Sequence, residues 1–275
     1  MAEFHTDVPA FRFIPGTAPL LVSMPHVGTH VPAGVAARLT TEAQQVPDTD
    51  WHLERLYDFV RAMGASVLIA THSRYVVDLN RAPDGSSLYP GQSVTGLCPV
   101  DTFDDTALYS DPSLVPDDAE IAARRDAVWH PYHAKLRDTL DTMRAEHGVA
   151  LLWDAHSIRS VLPRFFEGKL PDFNLGTGKG SSCTAEMAEA VLQAAQSIGQ
   201  ETYTSILNGR FTGGYITRNY GRPEQNIHAI QLEMTQSSYM QETLPFDYLP
   251  ERAQAVQPAL KRMLDTALKQ ALALR

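Results

Sequence analysis

The sequence predicts an α/β protein with a mixed, largely parallel central sheet that is covered by helices on both faces. Three apolar runs of strand length, at 20–24, 66–71 and 149–154, lie between amphipathic helical patterns. Strands that alternate with helices are typical of parallel sheets with two covered faces. Because no linker-like stretch interrupts the chain, we expect residues 1–275 to form a single domain.

The predicted helices are the segments in which apolar residues recur three and four positions apart. Four segments have this pattern: 50–63, 117–147, 183–198 and 250–274. Gly64 and Gly148 follow the first two, and glycine is the usual residue just beyond a helix C-terminus. We expect each helix to bury one apolar face against the sheet.

Shorter apolar or β-branched runs predict four further strands, at 75–79, 200–205, 215–217 and 228–233. Between 82 and 116 the chain is instead rich in Pro, Gly, Ser and Asp, with little periodicity. A loop of this length inside a compact domain is usually functional. We therefore expect this segment to be an excursion near the functional site.

Composition excludes several classes of function. The 275 residues are 44% hydrophobic and 20% charged, as in an ordinary globular protein, and the net charge is −9 without any Lys/Arg-rich run, which argues against nucleic acid as a partner. No apolar run approaches the ~20 residues that span a bilayer, and no secretory signal is present, so we expect a cytoplasmic protein without membrane partners. Cys98 and Cys183 lack the spacing of a disulfide framework or a structural zinc cluster.

Two histidines follow the ends of predicted strands. His26 comes after the first apolar run, and His156 comes after the run at 149–154. Ligands of open α/β sheets lie beyond the carboxyl ends of the strands, and catalytic zinc takes three protein ligands. A lone histidine is more often an ordinary loop residue, but two at equivalent positions favour a metal site. The candidates for the third ligand lie between the first strand and the first helix: His30, Asp48, Asp50 and Glu54.

Glu233 ends the strand predicted at 228–233. A buried carboxylate is costly unless it is paired. Beside a metal it would act as a general base, taking a proton from water and passing it to the leaving nitrogen. The alternative is a structural ion pair with an arginine.

Arginines are concentrated in the predicted loops and at strand ends. Arginine matches a carboxylate with a bidentate fork, so this distribution in an acidic protein favours a small anionic substrate with more than one carboxylate; the alternative for each is an exposed ion pair. No P-loop, GxGxxG or GxSxG motif is present, which argues against the commonest classes of nucleotide-binding protein and serine hydrolase. The arginines are Arg74, Arg81, Arg159, Arg164, Arg210, Arg218 and Arg222.

Five short motifs, taken in their order along the chain, resemble those of the N-formylglutamate amidohydrolase family, and the resemblance extends from about residue 10 to residue 245. That resemblance implies a fold like that of the zinc carboxypeptidases. It also implies hydrolysis of N-formyl-L-glutamate to formate and glutamate, the last step of one route of histidine degradation. The motifs are Ser23-Met24-Pro25-His26-Val27-Gly28, Asp48-Thr49-Asp50-Trp51, Val77-Asp78-Leu79-Asn80-Arg81, Asp154-Ala155-His156-Ser157 and Gln231-Leu232-Glu233-Met234.

The resemblance implies a role for each matching residue. His26 and His156 would hold Zn²⁺ or another divalent metal such as Co²⁺, and Asp50, or alternatively Asp48, would be the acidic ligand, because Thr29 stands where the carboxypeptidase HxxE spacing has its Glu. It also implies Glu233 as base and Asn80 and Arg81 as the clamp for the α-carboxylate. Combined with the arginine distribution, this predicts Arg74 for the developing oxyanion and Arg210 or Arg218, beside the loop of Gly213, for the γ-carboxylate. The alternatives are an amidohydrolase for another N-acyl acidic amino acid or a peptide C-terminus, or a non-catalytic binder of acidic amino acids.

Overall fold

The computed structural model describes residues 4–86, 94–197 and 203–275. Within these residues one sheet of seven strands has the order β1-β3-β2-β4-β7-β5-β6. The strands are β1 (Phe11–Ile14), β2 (Leu20–Met24), β3 (Ser66–Ala70), β4 (Ala150–Ile158), β5 (Phe173–Gly176), β6 (Ser205–Leu207) and β7 (Ile227–Thr235).

The centre of the sheet is parallel. Strands β3, β2, β4 and β7 run in one direction, whereas β1 is antiparallel to β3 and β5 is antiparallel to β7. The mixed, largely parallel sheet predicted from the sequence is therefore confirmed. The sequence analysis missed β1 and β5, because β1 is partly exposed and β5 includes Asn174 and Gly176, so neither forms a continuous apolar run.

Helices cover both faces of the sheet, as predicted. One core contains Trp153 and Ala155 of β4 with the apolar faces of α5 and α7, and the opposite core contains Ala150 and Leu152 with those of α4 and α6. Alternate residues of a strand point to opposite faces, which accounts for this division. The helices are α1 (Ala33–Ala36), α2 (Leu53–Leu56), α3 (Asp118–Arg124), α4 (His130–His147), α5 (Ala185–Gln196), α6 (Tyr215–Tyr220) and α7 (Pro250–Leu272).

Helices α3 and α4 are joined by a π-helical turn, Arg125–Trp129, so the helix predicted at 117–147 is continuous but not uniform. The Trp129 Nε1 donates to the carbonyl oxygen of Arg81 at 3.0 Å, and the His133 Nε2 donates to that of Leu79 at 2.8 Å. On α3, Arg124 donates to the Val76 carbonyl at 3.1 Å. The helix therefore holds the backbone on both sides of residue 80.

Two of the predicted strands are wrong. Residues 75–79 form a buried turn segment, because their backbone groups bond elsewhere: the Asp78 N–H, for example, donates to the Leu97 carbonyl at 2.7 Å. Residues 215–217 begin α6 instead, although Ile216 and Thr217 are β-branched, because packing of a short helix against β7 overrides a weak β propensity.

The helix predicted at 50–63 is also broken. Within this range only α2 and a 3₁₀ turn, Asp58–Arg61, are helical. His52, which stands just before α2, has a φ of +63°. The apolar face of the segment is nevertheless buried, as the spacing predicts. For the strand predicted at 200–205, residues 200–202 lie outside the described residues, and β6 begins at Ser205.

Within the described residues no helix is long and apolar enough to cross a membrane. That the whole chain is one domain stays a prediction.

Candidate metal centre and active site

Three of the predicted ligands converge in the structure. His26 lies in the loop after β2, Asp50 precedes α2, and His156 lies within β4, which continues to Ile158 instead of ending before the histidine. All three side chains are buried. The Asp50 N–H donates to the His26 carbonyl at 3.0 Å, and the Ser157 N–H donates to Asp50 Oδ2 at 3.2 Å, so the backbone itself holds these segments together.

The three ligand atoms form a triangle. His26 Nδ1 lies 3.1 Å from His156 Nδ1, His156 Nδ1 lies 3.3 Å from Asp50 Oδ2, and Asp50 Oδ2 lies 3.8 Å from His26 Nδ1. Zinc bonds of ~2.0–2.1 Å give a tetrahedron with edges of roughly 3.3–3.5 Å. The triangle has one side of that length and two that differ by a few tenths of an ångström. Two imidazoles and a carboxylate are also a donor set that zinc and cobalt accept, so the residues present fit a divalent cation.

Asp48, the alternative acidic ligand, is not part of this triangle. Its Oδ2 accepts hydrogen bonds from the Tyr75 hydroxyl at 2.6 Å and from the Phe103 N–H at 2.8 Å. Burial raises the pKa of the Asp48 carboxyl above its ordinary value. The structure thus brings Asp50 to the two histidines, and it places Asp48 where it holds the loop that contains Phe103.

Each histidine of the triangle has a carboxylate behind it. His26 Nε2 donates to Asp78 Oδ1 at 2.7 Å, and His156 Nε2 lies 3.0 Å from Asp154 Oδ2. A carboxylate on one ring nitrogen leaves the lone pair of the other free for a metal, and it fixes the orientation of the ring. No role was predicted for these aspartates, although Asp154 stands two positions before His156 on the same face of a strand.

The surroundings of the two histidines shift their pKa values in opposite directions. Burial and the neighbouring Arg74 lower the pKa of His26. Burial also lowers the pKa of His156, but Asp154 and Asp50 raise it more, so that it lies well above its ordinary value. The surroundings therefore favour a neutral imidazole at His26 and positive charge at His156, which has two carboxylates beside it.

Glu233 lies directly beside this centre. Its position on β7 is the register partner of His156 on β4, so the two side chains share one face of the sheet. Among the described residues its carboxylate has no hydrogen-bond partner, and it lines a cleft next to the triangle. The pKa of the Glu233 carboxyl lies above its ordinary value. Burial and the neighbouring Asp50 raise this pKa, and His156 lowers it by less.

The cleft beside the triangle is small, with a volume of about 70 Å³, which is room for several water molecules. It contains part of the long excursion predicted near the site, since Val94 and Phe103 line it. The lining residues are His26, Arg74, Asn80, Arg81, Val94, Phe103, His156, Ser157, Ile158, Phe165, Arg210, Phe211, Gly214, Gln231 and Glu233.

Arg74 and Arg81 are held from behind, so that their positions in the cleft are defined. The buried Arg74 donates to Asp78 Oδ2 at 2.7 Å, and its guanidinium lies 4.7 Å from the ring centre of Phe103. The Arg81 Nε donates to the Thr95 carbonyl at 2.9 Å, and its second terminal nitrogen donates to the Thr95 hydroxyl at 3.1 Å. Both guanidinium groups are therefore presented to the cleft by fixed contacts.

Asn80 joins the cleft to α6. Its Oδ1 accepts from the Ile216 N–H at 2.9 Å, and its Nδ2 lies 3.0 Å from His156 Nε2. A Cβ at Gly214 would lie 2.3 Å from the Asn80 amide, so only glycine permits this close approach.

Two of the predicted substrate-binding residues, Arg218 and Gly213, are not among the residues that line the cleft. The Arg218 Nε donates to the Gly213 carbonyl at 2.8 Å, and another of its nitrogens donates to the Thr212 hydroxyl at 2.7 Å. These two hydrogen bonds lie within the loop that leads to Gly214. Arg210 does line the cleft, where its Nε donates to the Phe165 carbonyl at 2.6 Å.

Sequence reasoning also missed the aromatic wall of the cleft, formed by Phe103, Phe165 and Phe211. The rings of Phe103 and Phe165 meet edge to face, with centres 5.1 Å apart. These phenylalanines come from three separate loops, so no local pattern in the sequence indicates that they meet. Gln231, on β7, lies within the last of the five motifs, and no role was predicted for it.

Comparison with known proteins decides the family. The family model described as N-formylglutamate amidohydrolase matches residues 18–240. The chain belongs to this family. An N-formylglutamate deformylase of Pseudomonas putida is 49% identical over 257 residues, which are 93% of this chain and 94% of that protein. An N-formylglutamate deformylase of Pseudomonas aeruginosa is 49% identical over 256 residues, which are 92% and 94% of the two chains.

The fold is that of a solved member of the N-formylglutamate amidohydrolase family. The crystal structure of N-formylglutamate amidohydrolase from Ralstonia eutropha JMP134 matches with a TM-score of 0.78 and 23% identity, over 98% of this chain and 99% of that one. The sequence resemblance and the fold class are thus both confirmed.

Proposed function

We propose that this protein hydrolyses N-formyl-L-glutamate to formate and L-glutamate with the help of a divalent metal ion. The observation that carries the proposal is the buried triangle of His26, Asp50 and His156, with Glu233 beside it in an adjoining cleft. Relatives that are 49% identical over nearly their whole length are N-formylglutamate deformylases, which supports this substrate.

The metal would be held by His26 Nδ1, His156 Nδ1 and Asp50 Oδ2, and zinc or cobalt suits this donor set. When bound, it would supply Lewis-acid chemistry, polarising the formyl oxygen and making water more nucleophilic. Asp78 and Asp154 would keep the two imidazoles oriented.

Glu233 would act as the general base. Its carboxylate faces the cleft and has no hydrogen-bond partner among the described residues, so it is available to water or to substrate. It would take a proton from the attacking water and give it to the nitrogen that leaves with glutamate. Arg74, close by and paired with Asp78, would stabilise the negative charge that develops on the formyl oxygen.

Arginines of the cleft would bind the two carboxylates. Arg81, with Asn80 next to it, would hold the α-carboxylate, and Arg210 would hold the γ-carboxylate. Arg218 and Gly213 would shape the loop that carries Arg210 instead of contacting the substrate.

In the cell the reaction would be the last step of a histidine-degradation route, as the family resemblance implies. Its location in the cytoplasm remains a prediction.

The test is formate release from N-formyl-L-glutamate by metal-free protein and by protein reloaded with zinc or cobalt. Activity should require metal, and glutamate release from N-acetyl-L-glutamate should be much slower than from N-formyl-L-glutamate. No formate release with either metal would refute the proposal. The E233Q variant should keep metal binding and lose about 10²- to 10⁴-fold in kcat. E224Q, which changes an exposed glutamate, is the matched control and should retain wild-type kcat.

A further inference from the structure

Gln231 occupies a special position in the cleft. It lies on β7 two residues before Glu233, so both side chains point to the same face of the sheet. Its side chain lines the cleft, and the residue is only 3% exposed. The backbone N–H of Gly214 donates to its Oε1 at 2.7 Å. Because an N–H group can only donate, this bond fixes which end of the amide is oxygen and which is nitrogen.

The amide nitrogen therefore presents two N–H donors to the cleft. Among the described residues Nε2 has no hydrogen-bond partner. The register partner of Gln231 on β4 is Asp154. The Oδ2 of Asp154 lies 3.0 Å from His156 Nε2, and its Oδ1 likewise has no hydrogen-bond partner among the described residues. An unpaired, nearly buried donor is unfavourable, and a ligand that carries an acceptor would satisfy it.

We propose that Gln231 donates a hydrogen bond from Nε2 to a carboxylate oxygen of the substrate, and that it is a specificity-determining residue. This inference rests on the proposed function, in which the substrate is a dicarboxylate. Two residues of a strand span roughly 6.6 Å. That separation from Glu233, at the reacting centre, suits a carboxylate several bonds from the formyl carbon better than the formyl oxygen itself.

The Q231E variant isolates this contact. It keeps an oxygen to accept from the Gly214 N–H, but it replaces the two donors with a second, negatively charged oxygen. The kcat/KM for N-formyl-L-glutamate should fall about 10- to 100-fold. The fall should be much smaller for the analogue whose carboxamide replaces the contacted carboxylate, because that carboxamide can donate to the new carboxylate.

Two analogues, the γ-carboxamide and the α-carboxamide of N-formyl-L-glutamate, show which carboxylate is contacted. Relief with either one supports the assignment and identifies the carboxylate. An equal loss of kcat/KM for all three substrates, or no loss, would overturn it. Q225E makes the same substitution at an exposed glutamine and should behave like the wild type.

A binding measurement separates this inference from the proposed function, because it needs no turnover. Calorimetry should show that Q231E binds L-glutamate at least tenfold more weakly than the wild type, while Q225E does not differ from it. A wild-type protein that binds L-glutamate but releases no formate would refute the proposed function and leave the role of Gln231 to be judged by binding. Equal binding by wild type and Q231E, or no binding by the wild type, would overturn the role of Gln231. If Q231E does not fold, the uncharged Q231M should show the same weaker binding.

Discussion

Replacing Asp78 with asparagine should weaken both metal binding and the fold, whereas the same change at Asp154 should weaken mainly metal binding. Both aspartates are fully buried, and each supports one histidine of the triangle. Only Asp78 also pairs with an arginine, since its Oδ2 accepts from the buried Arg74 at 2.7 Å. The two variants thus make the same chemical change, but only D78N leaves a buried arginine without its carboxylate.

The magnitudes follow from these contacts. Loss of a carboxylate behind a ligating histidine typically lowers metal affinity 10- to 100-fold, or about 1.4–2.8 kcal/mol, and we expect this for D78N and D154N alike. D78N also leaves the buried guanidinium of Arg74 without its charged partner, which costs about 3–5 kcal/mol of unfolding free energy. D154N leaves no arginine without its carboxylate, and His156 keeps Asp50 Oδ2 at 3.3 Å from its Nδ1, so its cost to unfolding free energy should be about 1–2 kcal/mol.

Two assays separate these effects. Competition with a chromophoric chelator gives the zinc affinity of each variant, and urea unfolding of the metal-free proteins gives their stability. Wild-type zinc affinity in either variant would refute the supporting role of the aspartates. Equal unfolding free energies for metal-free D78N and D154N would refute the argument that Asp78 is needed to pair Arg74.

Two further predictions concern the helix behind the cleft. W129F keeps an aromatic ring but removes the donor to the Arg81 carbonyl, so the KM for N-formyl-L-glutamate should rise several-fold with less change in kcat. Steady-state formate release measures both constants, and an unchanged KM would contradict the prediction. Burial lowers the pKa of His133 to about 3, well below its unfolded value of 6.5, so the unfolded chain takes up a proton below pH 6.5 that the folded one does not. The free energy of unfolding should therefore decrease as the pH is lowered from about 6.5 to 3. Of the decrease between pH 7.5 and pH 5, His133 should account for about 2 kcal/mol. Urea unfolding at both pH values should show a smaller fall for H133Q, and an equal fall would contradict the assignment.

The sequence predicts the centre of this fold better than its edges. The parallel strands β2, β3, β4 and β7 are buried on both faces, and β2, β3 and the first half of β4 accordingly appear as apolar runs. The apolar face at 50–63 was recognised, but its division into two short helical turns depends on His52, whose Nε2 lies 2.7 Å from the Phe246 carbonyl, 194 residues further along the chain. No local pattern contains that contact. Misassigned segments such as 75–79 likewise depend on distant partners.

The same distinction applies to the site. Histidines near the carboxyl ends of two adjacent parallel strands meet because the topology requires it, and His26 and His156 follow that rule. Distinguishing Asp50 from Asp48 requires the conformation of the loop before α2, which the sequence does not specify. The exclusion of Arg218 from the cleft depends in the same way on the shape of one loop.

The π-helical turn at Arg125–Trp129 makes the length of this helix as important as its composition. Residues five apart lie about 140° from each other around an α-helix, so in a regular helix Arg124 and Trp129 would face different sides. The wider turn brings both toward the segment that contains Asn80, where they hold the carbonyls of Val76 and Arg81. Deleting one residue between them would leave a regular helix in which these two side chains are four positions apart, about 40° around the axis, and still share one face. The segment should therefore tolerate a one-residue deletion better than a one-residue insertion, which would place the two side chains about 120° apart in a regular helix.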